Sequence, residues 1–182
     1  SADLAPSNKT LIDGADEFTG SGDLIDVGTD SSMDVFGPGQ DFSVSLWVKR
    51  DDTEDVQVFF SAGSGASNGI YFGVLWQDFD DLRFLSPGNT ADIQSASDPI
   101  GDTGWHHVGL TADRDGNMAF WVDGVSVHSA SIAAYEGEDW NRIDDTYKIG
   151  TDRSENASMD GVLDEVRVSK VVRSPGWMVT SY

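Results

Sequence analysis

The chain has 182 residues, with 32 Asp and Glu against 11 Lys and Arg, a net charge of −21 and no Cys. That length makes one domain able to bury a sizeable core without covalent staples. The charge excludes nucleic acid and anionic membrane surfaces as partners, since both need a basic patch; the missing Cys excludes disulfides, thiol nucleophiles and thiolate metal sites. No apolar run approaches the ~20 residues that span a bilayer, so no membrane insertion is expected. The acidity has two compatible readings. One is a solvated surface suited to a saline, halophilic setting where salt screens self-repulsion. The other is a set of carboxylates converging on calcium, which takes oxygen ligands.

Residues 1–11 read as an irregular polar lead-in to a single domain over 1–182. Glu17-Phe18-Thr19 and Leu24 to Val27 read as short strands around Gly20-Ser21-Gly22, and Thr29 to Gln40 as a loop. From Phe42 to Lys49 the pattern alternates: Phe42, Val44, Leu46 and Val48 share one face, and Ser43, Ser45, Trp47 and Lys49 the other. Strands follow at Val56–Ser61, Gly69–Trp76 and Leu82–Ser86, then an aperiodic loop from Pro87 to Thr103. The stretch from Gly104 to Ser129 carries two Asp-Gly turns, Asp115-Gly116 and Asp123-Gly124, each flanked by alternating apolar residues. This predicts an antiparallel meander in which glycine supplies positive φ at the turns. A long segment from Ser131 to Asp145, strands at Tyr147–Gly150 and Gly161–Ser169, and one helical turn within Val171–Met178 complete the chain. Many short strands without an amphipathic helix predict an all-β, two-sheet antiparallel sandwich.

Five segments then resemble one family in the same order: Phe18 to Val27, Phe42 to Lys49, Gly104 to Val108 with Trp121-Val122-Asp123-Gly124, Gly161 to Val168, and Arg173-Ser174. They are similar to the laminin G-like domains of the concanavalin A-like lectin/glucanase superfamily. The resemblance implies a jelly-roll sandwich and a module of the lectin, adhesion or glycosidase kind. It also implies a structural calcium ion joining the first strands to the last, with Asp164 as ligand, Asp23 as its partner, and Asp16 and Asp13 in reserve. Thr19 stands where the family places an aspartate. Physically, an Asp in an apolar strand must be solvated, paired or metal-bound. Hydrogen bonds from backbone, Arg167 or Arg153 are the alternative to calcium.

For ligand binding, Trp47, Trp121 and His107 share the face opposite the core row and are expected as an aromatic platform on which sugar rings stack. A covering loop is the alternative. A second candidate is the rim, with Asp78, Asp80, Asp81 and Arg83 from one turn and Tyr135, Glu138 and Trp140 from the long loop. Retaining glycosidases need two carboxyls about 5–5.5 Å apart, and the superfamily's Glu-x-Asp-x-x-Glu pattern is absent from this sequence. His106 and His107 read as packed, hydrogen-bonded residues. The expected function is thus a non-catalytic, carbohydrate-binding module of a larger extracellular or cell-surface protein. Its partners would be a glycan or glycoconjugate and other domains of its chain. An adhesion or spacer module is the alternative, and a glycoside-active enzyme the third.

Overall fold

The computed structural model describes residues 14–29, 34–53, 55–64, 68–74, 81–95, 99–141, 146–152 and 157–182. They form twelve strands: β1 (Asp16–Thr19), β2 (Ile25–Gly28), β3 (Phe42–Arg50), β4 (Gln57–Ser64), β5 (Asn68–Val74), β6 (Leu82–Leu85), β7 (Asp92–Gln94), β8 (Trp105–Ala112), β9 (Asn117–Val122), β10 (Val125–Ser131), β11 (Tyr147–Ile149) and β12 (Asp160–Ser169). One helix, α1 (Pro175–Ser181), closes the chain. A front sheet has the order β1-β12-β3-β8-β9-β10 and a back sheet the order β2-β11-β4-β5-β6-β7. Every strand pairing is antiparallel, as expected of the jelly-roll sandwich.

Period-2 alternation sends one row of each strand between the sheets. Phe42, Val44 and Leu46 meet Ala112, Leu110 and Val108 along the front sheet; Phe60, Ile70, Phe72, Val74 and Phe84 face them from the back. Phe72 and Phe120 stack across the gap at 6.0 Å between centroids. At roughly 25 cal/mol per Å² of apolar surface, this interior supplies most of the drive to fold. A smaller cluster of Val58, Tyr71, Leu85 and Ala157 packs apart from it.

The meander forms as expected, with a difference at one turn. Asp123 and Gly124 both adopt left-handed φ, 49° and 77°, the conformation of a tight two-residue hairpin. Gly116 does not need positive φ. A Cβ there would sit 2.6 Å from Asp113 Oδ2, the end of a side chain that can turn aside. Two further differences concern the amino-terminal half. The early strands do not pair with each other: β1 joins β12 in the front sheet, and β2 joins β11 in the back. Within the expected 87–103 loop, β7 forms a short edge against β6.

Candidate functional site

Across the front sheet, register aligns Asp164 of β12 with Trp47 of β3, and Trp47 with His107 of β8. Their side chains leave the core row, as alternation predicts. Yet every residue of β3 except Lys49 is buried, because α1 lies over the face. Ser174 caps the helix by accepting from Trp177 N at 3.2 Å, and Pro175 at its first turn has φ pre-set. Ser43 Oγ ties down the chain before it, donating to Val171 O (2.8 Å) and accepting from Arg173 N (2.9 Å). Gly109 leaves the seat for Met178: a Cβ there would lie 2.9 Å from Met178 Sδ. Tyr182 then stacks on Trp47 at 6.1 Å.

Of the two expectations for this face, the covered one fits Trp47 and His107, with the carboxy-terminal helix in place of a loop. Trp47 is only 7 % exposed and His107 1 %, while Trp121 donates its Nε1 to Thr111 Oγ1 at 3.1 Å. A central strand of a wide sheet carries an apolar outer row, and the carboxy-terminal helix rather than a ligand covers it here. The polar groups underneath are poorly served. Neither ring nitrogen of His107 has a hydrogen-bond partner among the described residues, which differs from the hydrogen-bonded histidine expected. Burial first, and then Arg167, hold the His107 imidazole below its ordinary pKa. Asp164 Oδ1 accepts from Glu165 N at 2.7 Å, whereas its buried Oδ2 has no donor. Burial pushes the Asp164 carboxyl pKa up, reinforced by Glu165 and Asp16. His106, by contrast, bridges Asp123 (2.9 Å) and Asp102 (3.3 Å).

Next to Asp164 the β12–β3 register shifts. Glu165 takes a left-handed φ of 49° in mid-strand, a conformation a side chain adopts only at a cost. The bulge turns Glu165 against Arg167, with 2.5 Å between Oε2 and Nη2. Beside them Trp177, Thr180 and Ser181 of α1 complete a groove of about 360 Å³. Sequence reading missed these five residues, although Leu163, Val166 and Val168 carry a signal. An odd spacing between apolar residues that all face the core requires one extra residue between them.

At the rim, the 133–141 segment is organised by Arg114, also missed. Its guanidinium is fully buried and donates to the carbonyls of Tyr135 (2.7 Å), Glu138 (2.8 Å), Glu136 (3.3 Å) and Gly37 (3.3 Å). It also lies 3.6 Å over the Trp140 ring. Trp140, expected as a ligand contact, is therefore a core residue with no exposed surface. Its Nε1 donates to Glu138 Oε2 at 3.0 Å, and Thr90 Oγ1 donates to the same oxygen at 2.6 Å. Tyr135 packs half-buried against the core. Asp81 is buried and accepts from Gln94 Nε2 at 2.8 Å. Arg83 is clamped by both oxygens of Asp92, at 2.7 and 2.6 Å. Asp78 and Asp80 lie outside the described residues.

Of the expected calcium ligands, Asp16 stands near enough to Asp164 to raise its pKa, while Asp23 is placed away from both. Asp23 closes the β1–β2 turn by accepting from Thr19 N (3.0 Å) and Oγ1 (2.6 Å), which lowers its pKa. Thr19 pairs with Asp160, four residues before Asp164 and so roughly 13 Å away along β12. Asp16 pairs with Leu163, not with Asp164; Asp13 lies outside the described residues. Among the described residues, no three His, Asp or Glu side chains gather as metal ligands. Near the Asp23 end, Asp55, Asp152 and Asp160 line a polar cavity of about 480 Å³. Burial, and then Asp51, Asp52 and Asp55, raise the Asp160 pKa there.

Solved structures with this architecture include the CBM40 of the Ruminococcus gnavus IT-sialidase bound to α2,3 sialyllactose. It has TM-score 0.69 and 12% identity, with 92% of this chain and 95% of that one covered. The Botulinum neurotoxin serotype D ligand binding domain in complex with N-acetylneuraminic acid superposes at TM-score 0.71 and 16% identity, over 96% of this chain and 43% of its own. Domain 4 of a GH43 extracellular arabinanase from Geobacillus stearothermophilus, in complex with arabinotriose, gives TM-score 0.64 and 17% identity, over 96% and 82%. At such identities the likeness is one of fold. No curated relative matches in sequence. A laminin G family model described as the concanavalin A-like lectin/glucanases superfamily matches residues 19–177. With the meander and the β12 motif inside that span, the chain belongs to the concanavalin A-like lectin/glucanase superfamily.

Proposed function

We propose that this domain is a non-catalytic glycan-binding module of a larger secreted or cell-surface protein. The observation that carries the reading is the groove beside β12, where an aromatic ring, an ion pair and two hydroxyls meet on a rigid sandwich. Sugar sites are built this way, with an apolar face for the ring and a few placed polar groups for its hydroxyls. The solved complexes with sialyllactose, N-acetylneuraminic acid and arabinotriose support it by showing what domains of this fold hold. The sequence lacks the superfamily's Glu-x-Asp-x-x-Glu catalytic pattern, which supports the non-catalytic reading.

Calcium stabilisation is part of the proposal. Asp164 Oδ2, a buried anionic oxygen without a donor, supports it, since a cation there would supply the missing charge with carbonyls as co-ligands. A cation bound only by the folded state raises the unfolding midpoint. Added calcium should therefore raise Tm and chelator should reverse it; an unchanged midpoint removes calcium from the reading. A glycan microarray with and without calcium tests the main claim. Saturable binding to at least one glycan class is the expected result, and none across broad classes overturns it.

A second reading, contact with protein, is favoured by an apolar patch. Val125, Val179 and Tyr182 are each more than half exposed, and a Cβ on Gly124 would touch both Val179 and Tyr182. Capture of a partner by the wild type but not by Val179→Asp would favour it.

A further inference from the structure

We infer that the groove between the β12 bulge and α1 is the glycan site, and that it selects neutral sugars bearing adjacent hydroxyls. The inference rests on the glycan-binding reading and goes further by naming place and ligand class.

The argument starts from backbone conformation. Glu165 holds a left-handed φ of 49° inside a ten-residue strand, where glycine would sit without strain. Strain of this kind persists where the surroundings impose it, and it clusters at functional positions. Its effect here is positional: the bulge sets Glu165 beside Arg167 and turns both toward α1.

The groove's hydrogen-bonding capacity follows from what its groups already do. Thr180 Oγ1 donates to Gly176 O at 3.0 Å and Ser181 Oγ donates to Trp177 O at 2.9 Å. Their protons are used inside the helix, so both oxygens are left as acceptors. The Glu165 carboxylate is an acceptor only, and Arg167 and the Trp177 indole N–H are the donors of the set. One of two adjacent sugar hydroxyls can give its proton to Glu165 while the other accepts from Arg167. Trp177 supplies the ring, with its orientation fixed by the Arg173 guanidinium 4.9 Å away. Glu165 and Arg167 cancel one another among the groove's own lining residues, leaving Arg173 behind the Trp177 ring as the adjoining cation, while the −21 chain as a whole repels a sugar carboxylate. About 360 Å³ falls at the small end of the ~300–1,000 Å³ typical of ligand sites, suited to a mono- or disaccharide.

The test compares wild type, Trp177→Ala and Glu165→Gly against neutral, acidic and amino oligosaccharides, with Tm measured for each protein. Wild type should bind neutral sugars, and each variant should bind them about tenfold more weakly or worse. Glu165→Gly should keep or raise Tm, by about 0–3 °C, because glycine relieves the left-handed strain. A Glu165 present only for its ion pair would instead lower Tm when lost and leave binding intact. Neutral sugars bound equally by all three proteins would overturn the groove while sparing the glycan reading. Acidic or amino sugars bound in preference would overturn the ligand class. No binding by wild type would remove both.

Discussion

Arg114 and the face beneath α1 are both buried polar regions, and they are treated in opposite ways. Arg114 reaches four carbonyls and an indole ring, and Glu138 beside it takes two donors. Under α1, His107 keeps two ring nitrogens and Asp164 one oxygen without partners, next to a strained Glu165. Of the Arg114 guanidinium only Nε lacks a partner, so that group is mostly bonded and can hold a fold together, whereas each polar atom left unbonded costs about 1–3 kcal/mol. The first region reads as a stability device. The second reads as a region shaped by something other than stability, and the proposed groove adjoins it.

The largest expected effect breaks the satisfied region. Arg114→Ala strands the carbonyls of Gly37, Tyr135, Glu136 and Glu138 and leaves Trp140 over a void. Buried acceptors left unpaired cost about 1–3 kcal/mol each, so a loss of about 3 kcal/mol or more is expected, a fall in Tm of about 10 °C for a domain this size. Thermal unfolding checks it. A loss under 1 kcal/mol would mean that water replaces the guanidinium cheaply, and the contrast between the two regions would then fail.

The contrast also sorts what could be read in advance. The core rows of β3, β8 and β9 were legible because alternation depends on neighbours two residues away. The bulge was not read, although Leu163, Val166 and Val168, all on the core side, cannot face it together without an extra residue. What alternation cannot show is what lies over a face. Trp47 was placed on the correct side of β3 but not beneath Tyr182, because that contact joins residues far apart in sequence. Arg114 and Trp140 meet for the same reason, from two loops with no period of their own. β7 has only three residues in a Pro- and Gly-rich stretch, and pairing with β6 defines it more than its own propensity does.

A middle-sized effect sharpens the comparison from the unsatisfied side. Asp164→Asn keeps the oxygen that accepts from Glu165 N and removes the buried charge. The folded-state pKa of Asp164 is raised, chiefly by burial. Between the unfolded value near ~3.9 and that higher value the folded chain holds more protons, so this group's contribution to stability falls as pH rises. In chelator, the variant should be about 1 kcal/mol more stable than wild type at pH 7. The advantage should fade as pH drops toward ~3.9. With calcium added the sign should reverse, if the cation uses Asp164. A variant less stable than wild type in chelator at pH 7 would show that the charge is served by a partner in solution.

The smallest effect returns to the satisfied region, where the sign is opposite. Glu138 has its pKa lowered, first by the Thr90 hydroxyl, then by Trp140 and by Arg114. Its contribution is complete above the unfolded Glu value near ~4.3 and is lost as pH falls through the lower folded value. Glu138→Gln retains an acceptor for Thr90 but not the charge. Because the side chain is partly solvated, screening limits the cost to about 0.5 kcal/mol at pH 7. Urea unfolding of wild type and variant from pH 7 to pH 3 should show that small gap closing with acid, while the gap for Asp164→Asn closes from the other side. If both variants moved in the same direction, the two regions would not differ in how they treat buried charge. The argument that the α1 face is shaped by recognition would then lose its physical basis.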